Sequence, residues 1–97
     1  MKFEWDEAKN QANIAKHGVS FEQAQKIFDG IVWTRIDDRL DYGEVRFISV
    51  GALKKSTLIV VAHTERSGAV GIISARRADH KERKRYYDEI QRTFGRY

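Results

Sequence analysis

The clearest hydrophobic pattern in the chain is a pair of β-rich runs, residues 58–66 and 69–77, joined by Ser67 and Gly68. Both runs are rich in Val, Ile and Ala, and a Ser-Gly pair between two such runs is typical of a tight hairpin turn. Other runs have the β-branched or aromatic content of strands: residues 3–5, 31–36 and 45–52. Four strands in close succession predict an antiparallel sheet.

Helix start and stop signals divide the rest of the chain. The first predicted helix ends near His17, and the second has apolar residues at helical spacing up to Phe28. The capping signals are Asp6 and Gly18 for the first helix, Ser20, Gln23 and Gly30 for the second, and Asp79 and Glu82 for the third. The predicted order is β-α-α-β-β-β-β-α. It describes an α+β fold with an antiparallel β-sheet of about four strands, two N-terminal helices and one C-terminal helix.

Composition restricts the class of protein. The 97 residues suit one domain, residues 1–97, and 41% hydrophobic with 33% charged residues is typical of a globular protein. No apolar run is long enough to cross a bilayer, and the N-terminus lacks the apolar centre of a signal peptide. The absence of cysteine excludes disulfides, and we expect a cytoplasmic protein with no membrane partner. The net charge of +4 favours a polyanionic partner.

The predicted hairpin concentrates ionisable residues. A two-residue turn sets Arg66 opposite Ala69 and His63 opposite Ile72. Side-chain alternation then predicts one face shared by His63, Glu65, Ser74 and Arg76, and the other face shared by Arg66 and Arg77. A β-bulge would change this parity. We therefore expect the charged side chains to cluster at one end of the sheet, whichever face each one occupies.

Such a cluster has the chemistry needed to cut RNA without a metal ion. The 2′-OH of RNA is the nucleophile, so a protein need supply a base, an acid and cations for the phosphate. His63 titrates near neutral pH, Glu65 can act as a base or orient an arginine, and guanidiniums bind phosphate through planar forks. The predicted catalytic residues are His63, Glu65, Arg66, Arg76 and Arg77. The alternative for His63 is a structural role inside the core.

Other residues are candidates for RNA binding, each with a structural alternative. Lys16 and His17 suit the negative end of a helix, and Tyr86 suits packing of the last helix on the sheet. Lys81, Lys84 and Arg85 form either a solvated face or a ridge that attracts RNA. Trp5 and Trp33 are assigned to the core or to an interface. The three histidines lie far apart in sequence, so no metal site and no cofactor is predicted.

The sequence resembles the BrnT toxins of bacterial type II toxin–antitoxin systems over essentially its whole length. The matching segments are residues 3–9, Asn13, residues 16–22, 43–46, 58–66 and 72–78, with Glu82, Arg83, Tyr86 and Tyr87. The resemblance implies a single toxin domain with a RelE-like fold and an endoribonuclease activity that blocks translation. It also implies neutralisation by a cognate BrnA-like antitoxin, and binding of operator DNA only as the toxin–antitoxin complex, chiefly through the antitoxin.

Two other readings remain open from the residues alone. A basic protein of this size can be a non-catalytic module that binds nucleic acid or a protein partner. A DNA-binding regulator that acts alone is less favoured, because no helix-turn-helix pattern with base-reading side chains is present.

Overall fold

The computed structural model describes residues 1–95. Its elements follow the predicted order, with a short 3₁₀ helix added after the second α-helix. The strands are β1 (Lys2–Glu4), β2 (Val32–Asp37), β3 (Arg46–Lys54), β4 (Thr57–Arg66) and β5 (Ala69–Arg77). The helices are α1 (Glu7–His17), α2 (Phe21–Ala24), the 3₁₀ helix Gln25–Asp29 and α3 (His80–Phe94). The α+β class is confirmed.

The predicted antiparallel sheet of about four strands is wrong in two respects. The sheet has five strands in the order β1-β5-β4-β3-β2, and β1 pairs parallel with β5. Strands β2 to β5 form the antiparallel part that short links predict. The sequence of the three residues of β1 does not indicate which strand they pair with, because β5 follows more than 60 residues later in the chain. Their pairing, with Phe3 opposite Val70, depends on tertiary packing.

The predicted helix caps are present. The Asp6 side chain accepts a hydrogen bond from the Lys9 amide, and Gly18 ends α1 in the left-handed conformation with φ 71°. Two complete capping boxes begin the other helices: Ser20 with Gln23, and Asp79 with Glu82. The segment predicted as one helix up to Gly30 is α-helical only as far as Ala24 and continues as the 3₁₀ helix.

The sheet buries apolar side chains on both faces. The first face packs against α1 and α2 through a cluster that includes Phe21, Ile27, Ile59 and Val61. The second face packs against α3, where Tyr86 meets apolar residues of β3 and β4. Successive residues of β4 alternate between the two clusters, as a strand buried on both sides requires. The charged end of α3 therefore lies on the second face.

Two buried asparagines attach α1 to the rest of the fold. Asn13 donates to the carbonyls of Val19 and Ala75, each at 2.8 Å, and accepts from the Ala75 amide at 3.2 Å. Asn10 accepts from the Phe21 amide at 2.8 Å and so fixes the start of α2. Because these amides satisfy buried backbone groups, Asn13 of the matching segments has a structural role.

Candidate nucleic-acid interface

The β4–β5 hairpin has the predicted turn. Ser67 and Gly68 both have positive φ, 49° and 80°, and Arg66 lies opposite Ala69. Its antiparallel pairing also separates the residues expected to cluster. Arg66 lies beside the turn, whereas Arg77 pairs with Ile59 at the open end of the hairpin. Seven residues of strand separate these ends, about 23 Å at the usual rise. The predicted single charged cluster is therefore wrong.

The predicted division of these residues between the faces is also wrong, because β5 contains a bulge. Ile72 lies opposite His63 and Ser74 lies opposite Ala62, which leaves Ile73 as the extra residue. Beyond the bulge, Arg76 lies opposite Val60 on the second face, and Arg77 lies opposite Ile59 on the first.

His63 lies inside the first-face core, 1% exposed. Its ring stacks on Phe47 at 5.6 Å and meets the edge of Phe28 at 5.2 Å. Its Nε2 is 2.8 Å from the Ser49 hydroxyl, which is 2.7 Å from that of Thr34. Burial lowers the pKa of His63, and the charge of Glu65 only partly opposes this effect. A neutral imidazole in this position has no access to a phosphodiester.

Arg66 and Glu65 lie at the exposed hairpin tip. The Arg66 guanidinium donates to both carboxylate oxygens of Glu44, at 2.9 Å and 3.0 Å. Glu44 belongs to the loop between β2 and β3, so this pair connects the two hairpins. Exposed pairs of this kind contribute about 0–1 kcal/mol to stability, and solvent screens them.

Arg77 lies at a different location from Arg66. It lines a small hollow with Gly18, Val19 and Lys54 on the first face. Lys16, which is exposed, and His17 directly precede Gly18 at the end of α1. The structure therefore places Arg77 beside the residues that follow Lys16 and His17 at the end of α1.

A concave surface with a volume of about 590 Å³ lies between β2 and α3 on the second face. We call it the α3 groove. Its polar and aromatic lining is Trp33, Arg35, Asp38, Lys81, Glu82 and Arg85, and its floor includes Ile48 and Val50. Three cations and two carboxylates therefore line it. Helix α3 supplies one wall through Lys81, Glu82 and Arg85 of its first two turns.

Arg76 forms an ion pair with one of those carboxylates, Glu82. Its guanidinium donates to both oxygens of Glu82, each at 2.7 Å, and the Asp79 amide donates to Glu82 at 2.8 Å. The hydrogen bond from Arg76, with a further contribution from the Asp79 amide, lowers the pKa of Glu82. Glu82 is therefore ionised at neutral pH, and the cations Arg35, Lys81 and Arg85 give the groove lining a positive balance.

Of the other candidate residues on α3, Arg85 lines the groove, and Lys84 and Tyr86 do not. Arg85 lies over the Trp33 ring, with its Cζ 4.9 Å from the ring centroid. Lys84 does not line the groove and pairs with Asp88 at 2.8 Å on the exposed side of the helix. Tyr86 is 6% exposed and donates its hydroxyl to the Ile31 carbonyl at 2.8 Å. It therefore packs α3 on the sheet, which was the structural alternative.

Four of the polar and aromatic groove residues were not predicted as site residues: Trp33, Arg35, Asp38 and Glu82. Trp33 and Arg35 are two positions apart on β2, so both side chains face α3. This aromatic–basic alternation was the available signal, but Trp33 was assigned to the core or an interface. Glu82 has a capping role that the sequence predicts, and this local role gives no sign of its contact with Arg76.

Within residues 1–95, no group of three His, Asp or Glu side chains is arranged to hold a metal ion. No helix in this range has both the length and the apolar character needed to cross a membrane.

Comparisons with known proteins agree with the resemblance seen in the sequence. Residues 5–82 match the family model described as the ribonuclease toxin BrnT of type II toxin–antitoxin systems. The fold is similar to the crystal structure of the Brucella abortus ribonuclease toxin BrnT, with 29% sequence identity and a TM-score of 0.63. That match covers 82% of this chain and 99% of the Brucella chain. A search of curated proteins gave no match. The chain therefore belongs to the BrnT family of ribonuclease toxins of type II toxin–antitoxin systems.

Proposed function

We propose that this toxin is a single domain, residues 1–97, that binds and cuts RNA in the α3 groove without a metal ion and so inhibits translation. The observation that carries the proposal is the groove itself. It combines three cations with an aromatic ring in one concave surface on a basic protein.

In this proposal Arg35, Lys81 and Arg85 bind phosphates. They approach the groove from two walls, Arg35 from β2 and the other two from α3. Cations on both sides of a groove can follow the backbone of a single strand and stabilise the charge that develops on the reacting phosphate. The ion pair of Arg85 with Glu89 is long, 3.8 Å, so Arg85 can exchange this partner for a phosphate at little cost.

The proposed reaction begins when the 2′-oxygen attacks the adjacent phosphorus. The bond from phosphorus to the 5′-oxygen breaks, and the products are a 2′,3′-cyclic phosphate and a 5′-hydroxyl. We assign Glu82 as the acceptor of the 2′-OH proton, because it is the carboxylate of α3 that lines the groove next to Lys81, and its ion pair with Arg76 fixes its place. We assign the Lys81 ammonium as the donor to the leaving 5′-oxygen. Arg76 is then a positioning residue.

The remaining predicted residues have no place in the groove. We propose that His63 supports the first-face core and that Glu65 and Arg66 hold the hairpin tip to the β2–β3 loop. A contact between RNA and Lys16, His17 or Arg77 stays a prediction.

The proposed cellular setting follows from the family. We propose a cytoplasmic toxin with a RelE-like fold that a BrnA-like antitoxin neutralises. We also propose that operator DNA is bound only by the complex of the two proteins. Membership of a type II toxin–antitoxin family supports the protein antitoxin.

The test is cleavage of end-labelled RNA by the purified protein in excess EDTA. We expect cleavage in EDTA, products that end in a 2′,3′-cyclic phosphate, and a strong loss of rate in Lys81→Gln and Arg85→Gln. Lys84→Gln removes the same charge from the same helix outside the groove, so it should cleave at the wild-type rate. Activity that requires a divalent ion would contradict the metal-free reaction. Equal rates in all three variants would contradict the location, and RNA binding without any cleavage would favour a non-catalytic module.

A further inference from the structure

Among the residues that line the α3 groove, one is aromatic: Trp33. Its position is fixed by the sheet, because it lies opposite Val50 in the β2–β3 ladder and packs against the cluster that contains Ile48 and Tyr86. The Arg85 guanidinium lies over its ring at 4.9 Å. The Arg85 side chain is itself 65% exposed. The ring therefore packs on apolar residues of the sheet and has an exposed cation over it.

We propose that one unpaired RNA base stacks in the groove on Trp33 and Arg85. This inference rests on the proposed function of the groove. A guanidinium is planar and stacks on aromatic faces, so Arg85 can lie between the ring and a base or move aside to let the base contact the ring. Either arrangement uses the π-face that every nucleobase has.

The surroundings of Trp33 favour an RNA base over other planar ligands. Arg35 and Lys81 line the same groove as the ring, so phosphates on either side of a stacked base can meet a cation. The volume of about 590 Å³ lies within the usual range for small-molecule sites and is ample for one nucleotide. A base within a duplex has both faces covered by its neighbours. The geometry therefore selects single-stranded RNA.

The experiment measures binding of a fluorescein-labelled 2′-O-methyl RNA hexamer, which cannot be cut, by fluorescence anisotropy. A matched hexamer with all six bases removed tests whether a base contributes to binding. We expect the wild-type protein to bind this abasic hexamer about tenfold more weakly than the intact one. Trp33→Leu should bind the intact hexamer about tenfold more weakly than wild type and show no further loss with the abasic hexamer, whereas Trp33→Phe should stay within about threefold of wild type. Tyr87→Leu is the control, since Tyr87 is an exposed aromatic of α3 that does not line the groove.

Equal affinity of the wild-type protein for the intact and the abasic hexamer would overturn the inference, and this result needs no variant to fold. Wild-type affinity in a folded Trp33→Leu protein, checked by circular dichroism, would overturn it as well. The salt dependence of Lys81→Gln separates this failure from failure of the proposed function. If the groove binds phosphates, Lys81→Gln lowers the slope of log affinity against log salt by about 0.7. A lowered slope with equal affinity for the two hexamers rejects only the stacking, whereas an unchanged slope rejects the groove as the RNA site too.

Discussion

Burial of His63 should make the stability of this toxin depend on pH. The imidazole is 1% exposed and packs between Phe28 and Phe47, and burial lowers its pKa. Below an ordinary histidine pKa of about 6.5 the unfolded chain takes up a proton that folded His63 does not. Unfolding then becomes more favourable as the pH falls, until the folded pKa is reached.

The magnitude follows from proton linkage. Each pH unit between the unfolded and the folded pKa removes up to about 1.4 kcal/mol from the free energy of unfolding. Moving from about pH 7.5 to about pH 5.5 should therefore cost up to about 1.4 kcal/mol from this one group. In urea this lowers the midpoint by roughly 0.5 to 1.4 M, for a slope of about 1–3 kcal/mol per M.

The assay is urea unfolding followed by circular dichroism at several pH values, for wild type and His63→Gln. Glutamine keeps a hydrogen-bonding group beside Ser49 but does not titrate, and His17 and His80 are present in both proteins. The difference between the two pH profiles therefore isolates His63. Parallel profiles between about pH 7.5 and 5.5 would refute the reasoning, because they would mean that folded His63 protonates as readily as in the unfolded chain.

Three further predictions concern stability and catalysis. Asn13→Ala leaves buried backbone groups without partners and should lower the free energy of unfolding by about 2–4 kcal/mol in urea; a loss below about 1 kcal/mol would contradict this. Gly51→Ala puts a Cβ 2.9 Å from Val32 Cγ1 and should cost about 1–3 kcal/mol, whereas Gly30→Ala, with its nearest atom at 4.0 Å, is the matched control. Glu82→Gln keeps a residue suited to the capping box and should cut the rate of RNA cleavage by about 100-fold or more without weakening RNA binding. Wild-type cleavage by that variant would remove Glu82 from the reaction.

Local signals in the sequence predicted the elements because each signal acts over a few residues. The caps at Asp6, Gly18 and Asp79 need only a side chain or backbone conformation that meets nearby amides. The Ser67-Gly68 turn likewise follows from residues that tolerate positive φ.

The site depends on information that is not local. An antiparallel hairpin puts the last residues of its two strands at opposite ends, so Arg66 and Arg77 could not share a site once the hairpin was predicted. No glycine marks the bulge at Ile73, so the sequence could not show which face of the sheet Arg76 occupies. The meeting of Trp33 with Arg85 joins β2 to a helix about 50 residues later, and only packing determines it.

The most direct test of the RNA site compares the two tryptophan indole N–H signals by NMR. Trp33 lines the α3 groove, whereas Trp5 lies against the first-face core, and its indole donates to Glu7 at 3.2 Å. On titration with an uncleavable 2′-O-methyl RNA, the account predicts a large shift of the Trp33 indole signal and an almost unchanged Trp5 signal. A shift of the Trp5 signal with Trp33 unaffected would contradict the assignment of the α3 groove as the place where this toxin binds RNA.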